Sequence, residues 1–468
     1  MFIKQLYTGC LSEAAYYLES GGEAAVIDPL RDIDVYLQLA GERKASVKYI
    51  FETHFHADFV SGHLDLQKAT GAPIVYGPET ETGFPIHQAK DGEAFKLGKL
   101  SIEVLHTPGH TLESTCYLLK DETGKPYALF TGDTLFVGDV GRPDLSSGNK
   151  TKEELASLLY DSIQQKIISL PDEVILYPAH GAGSSCGKNI GPETYSTIGE
   201  QKRSNYALQP QTREAFIKAV TAELPPVPRH FPINARINKE GYDNLEQFLD
   251  KALTPLSVAD FKRWMQDENT IILDTRNAGE FTKQFIPGSV SIGLEGRFAE
   301  WAGSLLSFNH PIILVTDDVK ERETAIRLAR VGFSNVQGYL AGGIETWQKA
   351  GEEIDMIINV EADELAMDMP FDENLVVIDV RRETEFADGH VKGALSLPLQ
   401  DLTDPGTMAE FEEYQNLYLH CGSGYRSVTA ASLFKRQGIH NLRNVVGGWN
   451  VIKDQKGIEI VKEKSVLN

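Results

Sequence analysis

Four cysteines in 468 residues are too few for a disulfide framework, so no cystine-stapled secreted fold is expected. No run approaches the ~20 uninterrupted apolar residues that a membrane-spanning helix needs. Cations are short as well: 45 lysines and arginines stand against 67 aspartates and glutamates, for a formal charge of −22. That balance argues against nucleic acid or an anionic membrane as partner, since both demand basic patches. A small anionic substrate remains compatible, because it meets only the local field. The opening, Met1-Phe-Ile-Lys-Gln5, reads as a strand without the pattern of a secretory leader, which predicts a cytoplasmic location. What is present is ordinary for a soluble globular chain: 41% hydrophobic and 24% charged residues. The length leaves room for about three domains at ~150 residues each, and a symmetric homo-oligomer is compatible with that size.

The most informative run is Thr53-His54-Phe55-His56-Ala57-Asp58-Phe59. Two imidazoles and a carboxylate, each two residues apart, follow the apolar-rich segment 47–51. Ligands bunched at the end of a strand suit a metal site open on one side. An isolated H-x-H is weak evidence, but three further groups join it: His110 in Thr107-Pro-Gly-His-Thr111, Asp133 in Phe130-Thr-Gly-Asp-Thr134 and His180 in Tyr177-Pro-Ala-His180. Each stands in a turn after an apolar stretch, where a strand hands over to a loop. Together they predict a metal centre rather than scattered surface histidines.

The order H-x-H-x-D, then His, Asp and His, resembles the metallo-β-lactamase fold over roughly residues 1–245, which implies an αββα sandwich. In two-metal hydrolases of that family the residue after the motif's aspartate is a second-metal histidine. Here it is Phe59, whose benzyl group cannot coordinate a cation. Asp58 and His180 remain, but with a shared Asp133 they make a poor closed site, so one metal is expected. Among one-metal members the resemblance is closest to the persulfide dioxygenases. It implies one Fe(II) per chain, with zinc as the alternative, held by His54, His110 and Asp133, with a free face for O2 and a sulfur substrate. His56, Asp58 and His180 then orient ligands or bound water from behind.

The second half repeats itself. Ile272-Leu-Asp-Thr-Arg276 answers Val377-Ile-Asp-Val-Arg381, Glu280-Phe281 answers Glu385-Phe386, and Gly342-Gly343 answers Gly447-Gly448, at one constant offset of 105 residues (379 − 274). Short β-branched runs alternate with helical stretches, which predicts parallel α/β sheets. Asp-x-Arg, then Glu-Phe, then a closing Gly-Gly resemble the rhodanese domain over 256–352 and 362–463. The chain is thus expected to be an α/β and α+β multidomain protein. Leu224-Pro-Pro-Val-Pro-Arg-His-Phe-Pro232 disfavours helix and strand interior and reads as a stiff connector.

In the second copy, Tyr418-Leu-His-Cys421 is a strand ending in a thiol, and Gly422, Ser423, Gly424, Tyr425 and Arg426 form a loop opening a helix that Gly438 stops. Inward backbone N–H groups and a helix N-terminus favour a thiolate and would hold a cysteine persulfide. Arg426 is a candidate to hold an anionic donor such as thiosulfate. Four residues separate Cys421 from Arg426, one fewer than in tyrosine phosphatases, and the smaller ring suits sulfur better than phosphate. The first copy has Thr316 at the equivalent position, followed by Asp317 and Asp318, and is expected to be catalytically silent. Cys10 and Cys116 read as core residues. Cys186, in the Gly-rich stretch 181–188, is expected near the mouth of the metal pocket as a loop cysteine or a sulfur relay. Arg142 either orients a substrate carboxylate or pairs with Asp144.

The resemblance as a whole implies a persulfide dioxygenase fused to a sulfurtransferase. A thiol persulfide, such as that of glutathione, would be oxidised by O2 to sulfite, and Cys421 would exchange sulfane sulfur between persulfide, sulfite and thiosulfate. The alternatives are a glyoxalase II-like thioesterase with a zinc-type two-metal site, and a sulfur carrier whose metal domain is degenerate.

Overall fold

A computed structural model describes residues 1–145 and 150–463. The chain forms two compact units: Met1–Gln247 with Ala329–Gly332, and Phe248–Leu328 with Phe333 to the C-terminus. Among the described residues, no helix is long and apolar enough to cross a membrane.

The first unit holds two six-stranded sheets. One runs in chain order from Phe2–Thr8 through Glu13–Ser20, Glu23–Ile27, Ser46–Phe51 and Ile74–Tyr76 to His87–Gln88, antiparallel at first and parallel from Glu23–Ile27 onward. The other lines up Ala94–Leu97, Leu100–His106, Thr115–Lys120, Pro126–Gly132, Ile175–Pro178 and Ser196–Thr197. The period of two along each strand divides the core. Tyr16 and Leu18 point into the layer between the sheets with Phe51, Ile102, Tyr117 and Phe130, whereas Ala15 and Tyr17 point outward against Tyr36, Leu39 and Leu66 of the covering helices. On the second sheet, Tyr117 and Leu119 face inward while Cys116 and Leu118 face Leu159, Ile163 and Phe216. Strands covered on both faces are apolar at nearly every position, as the sequence shows. Each such fully buried Leu or Phe contributes ~1.5–3 kcal/mol. The result is the αββα sandwich.

The second unit contains two five-stranded sheets with the same strand order. In the first copy the order is Pro255–Leu256, Val336–Leu340, Ile312–Val315, Ile271–Asp274, Val290–Ser291; in the second it is Ile358–Val360, Leu442–Val445, Asn416–His420, Leu375–Asp379, Leu395–Ser396. Every pairing is parallel. The Asp-x-Arg repeat has a structural cause. Asp274 and Asp379 are buried at the ends of equivalent strands, and Arg276 and Arg381 fold back onto them at 2.6 and 2.5 Å. Each arginine also donates to a backbone carbonyl, of Gln284 and Gly389, again 105 residues apart (389 − 284).

The proline-rich segment departs from expectation. Residues 224–230 have no regular structure beyond a turn, but Phe231–Glu240 is a helix with Pro232 in its first turn. Proline is tolerated there because the first N–H groups of a helix have no intrahelical acceptor. Rather than leading away as a connector, the helix turns back onto the metal motif: Asn238 Nδ2 donates to the carbonyls of His56 and Phe59 at 2.8 Å each, and Ser61 N–H donates to Asn238 Oδ1 at 2.9 Å. Asn238→Ala leaves three buried backbone groups without partners and should cost ~2–4 kcal/mol. Scanning calorimetry should show the first domain's transition lowered and the rhodanese transition unmoved.

Candidate functional site

The motif 53–59 follows the strand Ser46–Phe51, His110 follows Leu100–His106, and Asp133 and His180 follow the neighbouring strands Pro126–Gly132 and Ile175–Pro178. Loops at the same end of the sandwich therefore bring these groups together. His54 Nε2 and His110 Nε2 lie 3.7 and 3.4 Å from Asp133 Oδ2. Those separations are long for hydrogen bonds. They are close to the ~2.8–3.6 Å between neighbouring ligands of one ion at bond lengths of ~2.0–2.2 Å.

The protonation pattern fits ligands. Thr53 Oγ1 donates to Asp28 Oδ2 (2.9 Å), so the 2.9 Å contact between Thr53 Oγ1 and His54 must carry the proton of His54 Nδ1. His110 Nδ1–H likewise donates to the Arg142 carbonyl at 2.8 Å. In both rings Nε2 is left as the lone pair facing Asp133. Burial, then neighbouring His56, His110 and His180, hold His54 well below the usual histidine range. Both Asp133 oxygens are buried without a hydrogen-bond donor. An unpaired buried carboxylate costs several kcal/mol unless a cation meets it, so this donor set fits a metal ion.

A second cluster, His56, Asp58 and His180, stands beside the first. His180 Nε2 lies 3.5 Å from both Asp58 Oδ2 and Asp133 Oδ1, while its Nδ1 donates to the Ser12 carbonyl at 3.2 Å. His56 is differently engaged. Its Nε2 is 3.0 Å from Asp28 Oδ1, and its ring lies tilted by 31° against fully buried Phe59 with centroids 4.3 Å apart. Burial opposes its protonation, but Asp28, then Glu52 and Asp58, outweigh it and push the imidazole up to about 10.

Cys186 lies in a loop beside the histidine–aspartate cluster, as expected, but it is buried rather than at an open mouth. It is only 1% exposed and falls in a cluster with Asp133 and His180. Burial, then Asp58 and Asp133, push its thiol well up. Of the two readings of Arg142, the structure has the ion pair. Its Nε and Nη2 take both oxygens of Asp144 at 2.7 and 2.8 Å, and Nη2 and Nη1 reach the carbonyls of Pro225 and Ser185. A guanidinium so occupied has little left for a substrate carboxylate. Cys116 is buried, and burial, opposed by hydrogen bonds from Thr107 and Thr134, pushes it up to about 11. Cys10, expected in the core, is half-buried in the turn after the first strand.

Gly141 marks a close approach: a Cβ there would lie 2.0 Å from the Asp133 carbonyl oxygen and 2.9 Å from His110 Nδ1. Gly141→Ala must displace Asp133 and His110 while leaving their chemistry intact. Metal content of the purified protein should fall about tenfold, read by elemental analysis after gel filtration.

In the second unit, Cys421 is buried at the end of the strand Asn416–His420, and the helix Tyr425–Arg436 begins four residues later. Gly424 N–H donates to Cys421 Sγ at 3.1 Å and the Ser427 hydroxyl at 3.6 Å. Gly424 has φ +114°, a conformation that glycine adopts without strain. The closing Gly447-Gly448 packs under the loop, since a Cβ at Gly448 would lie 2.3 Å from the Cys421 carbonyl oxygen. Gly422 and Tyr425 are half-buried and Ser423 is exposed. Arg426 differs from expectation: both Nη atoms are held by the Glu385 carboxylate at 2.7 and 2.8 Å. Its fork closes the loop rather than facing outward for an anion. In the first copy Thr316 is buried and Asp317 follows it, with no thiol.

The supporting residues Asp28, Glu52, His63 and Asn238 did not emerge from the sequence, and Glu385 emerged only as a landmark of the repeat, not as the partner of Arg426. Ser61 Oγ donates to Glu52 Oε1 at 2.5 Å, and His63 Nδ1 lies 3.6 Å from the same atom. His63, four residues past the motif run (63 − 59), carried a local signal.

Comparison with known proteins fits this architecture. Residues 8–180 match the metallo-beta-lactamase superfamily, and 257–350 and 361–455 each match the rhodanese-like domain. A probable hydroxyacylglutathione hydrolase of Schizosaccharomyces pombe is 30% identical over 181 residues, 37% of this chain and 66% of that protein. The cytoplasmic hydroxyacylglutathione hydrolase of Arabidopsis thaliana is 32% identical over 183 residues, 38% of this chain and 67% of that protein. The matches span 58–67% of the length of such hydrolases and about half, 48%, of a beta-lactamase hydrolase-like protein of Xylella fastidiosa. A crystal structure of a metallo-beta-lactamase from Staphylococcus aureus aligns with a TM-score of 0.64 and 32% identity, over 73% of this chain and 98% of that one. The chain belongs to the metallo-β-lactamase superfamily and carries two rhodanese-like domains behind its lactamase-fold domain.

Proposed function

We propose that the first domain oxidises a low-molecular-weight thiol persulfide, such as glutathione persulfide, with O2 at a single Fe(II). In this reading Cys421 then moves sulfane sulfur between persulfide and sulfite. The observation that carries it is the pairing of a two-imidazole, one-carboxylate cluster, His54, His110 and Asp133, with a neighbouring His56 committed to Asp28 and a Phe59 that cannot ligate. Ferrous iron held by those three residues would supply the redox chemistry that adds oxygen to the outer sulfur. The balance is closed: one persulfide, one O2 and one water give one thiol, one sulfite and two protons.

The chain's own residues do the positioning. Thr53 and the Arg142 carbonyl hold the two imidazoles in the tautomer that presents Nε2. Asp133 brings the charge that offsets the cation, and Phe59 with the buried His56 walls one side from water. At the second site, Gly424 N–H and the Ser427 hydroxyl stabilise negative sulfur on Cys421. Persulfide and sulfite then exchange to thiol and thiosulfate. Arg426 shapes the loop through Glu385. A relay through Cys186 would need its thiolate, which burial and two carboxylates oppose.

The second reading is thioester hydrolysis at two metals. It is favoured by the adjoining His56, Asp58 and His180 cluster and by relatives named as hydroxyacylglutathione hydrolases. Metal stoichiometry separates the two. Protein prepared without oxygen should hold about one iron per chain and leave S-lactoylglutathione intact. Two zincs per chain with rapid thioester cleavage would sink the dioxygenase reading.

A further inference from the structure

The two rhodanese copies share a cavity of about 490 Å³, and the silent copy provides much of its wall. Asn277, Gly293, Glu295 and Gly296 come from the first copy; Ser423, Gly424 and Tyr425 come from the loop that cradles Cys421. The contact is close. Tyr425 Oη donates to the Gly293 carbonyl at 2.7 Å, and a Cβ on Gly296 would meet the Tyr425 ring at 2.5 Å. The short segment 293–296 therefore clasps the catalytic loop and sets Glu295 at the cavity's side. Among the described lining residues Glu295 is the single charged side chain, and no lysine, arginine or histidine stands with it. Asn277 Nδ2 donates to its carboxylate. Its field reaches Asp317, which burial pushes up, against Arg276 and together with Glu280, Glu295 and Glu345.

A cavity of this size takes an organic ligand of moderate size, and inorganic thiosulfate would leave most of it empty. A dianion would also face Glu295 while Arg426 is tied to Glu385. We propose that this cavity binds the thiol portion of an amine-bearing organic persulfide, with Glu295 of the silent copy receiving its ammonium group. This rests on the sulfurtransferase reading of Cys421 and names its substrate class. Cys421 sulfur attacks the outer sulfur of the bound persulfide and the original S–S bond breaks. The electron pair leaves on the thiol sulfur, which takes the proton that Cys421 gave up, and Cys421 becomes the persulfide. No oxidant or reductant is consumed.

The test uses the full chain and three sulfur donors: cysteamine persulfide, 3-mercaptopropionate persulfide and thiosulfate, with sulfite or cyanide as acceptor. The native protein should favour the amine over the carboxylate donor in kcat/KM. Glu295→Gln should narrow that preference about tenfold and raise thiosulfate turnover, and Glu295→Lys should invert the preference. Glu295 is exposed, so both variants should fold. A donor ratio indifferent to residue 295 overturns the inference while leaving Cys421 in place. Unchanged transfer in Cys421→Ser overturns the sulfurtransferase reading itself.

Discussion

Asp133→Asn should lose its iron and at least roughly 10³-fold of persulfide-dependent oxygen uptake, while folding normally and transferring sulfur through Cys421 at the native rate. The substitution keeps the shape of the side chain and removes its charge. Both native oxygens are buried without a donor, facing His54 Nε2 and His110 Nε2 at 3.7 and 3.4 Å. A neutral amide there offers one weak oxygen ligand and an NH2 group that repels a cation. In the metal-free chain the same change removes an unpaired buried charge, so apo-protein stability should hold or rise. Elemental analysis, an oxygen electrode and a thiosulfate-to-cyanide assay check the three parts on one preparation. Retained iron with more than a tenth of the oxygen uptake would remove Asp133 from the ligand set.

Cys421→Ser should do the reverse. Sulfur transfer should fall by roughly 10³-fold or more, since a hydroxyl cannot carry sulfane sulfur, while oxygen uptake and sulfite release stay native. Serine keeps the hydrogen-bonding pattern around Gly424 and Ser427, so the loop and the helix Tyr425–Arg436 should be preserved. Sulfite should then accumulate where the native protein yields thiosulfate. Loss of sulfite formation in the same variant would show that the rhodanese copy supplies the persulfide to the metal.

Much of this was legible because both sites use residue types that are conspicuous in their setting. Imidazoles and carboxylates at the ends of apolar strands, and a thiol between a strand and a Gly-rich helix start, stand out locally. The offset of 105 residues was readable because both copies need the same buried Asp–Arg pair to close the strand end. What sequence could not supply was the identity of distant partners. A guanidinium pairs with whichever carboxylate tertiary folding brings near, so Glu385 on Arg426 was hidden 41 residues away (426 − 385). Asn238 acts on His56 and Phe59 from 182 and 179 residues along the chain. The proline-rich segment misled because Pro232 opens a helix there instead of breaking one.

The most direct test of the central claim is oxygen consumption by the iron-loaded full chain when glutathione persulfide is added, with sulfite measured in the same vessel. One O2 consumed per persulfide oxidised, with sulfite as the first product in Cys421→Ser, is the predicted result. Absence of oxygen uptake at full iron loading, alongside brisk S-lactoylglutathione hydrolysis, would contradict it and assign the His54, His110 and Asp133 centre to hydrolysis.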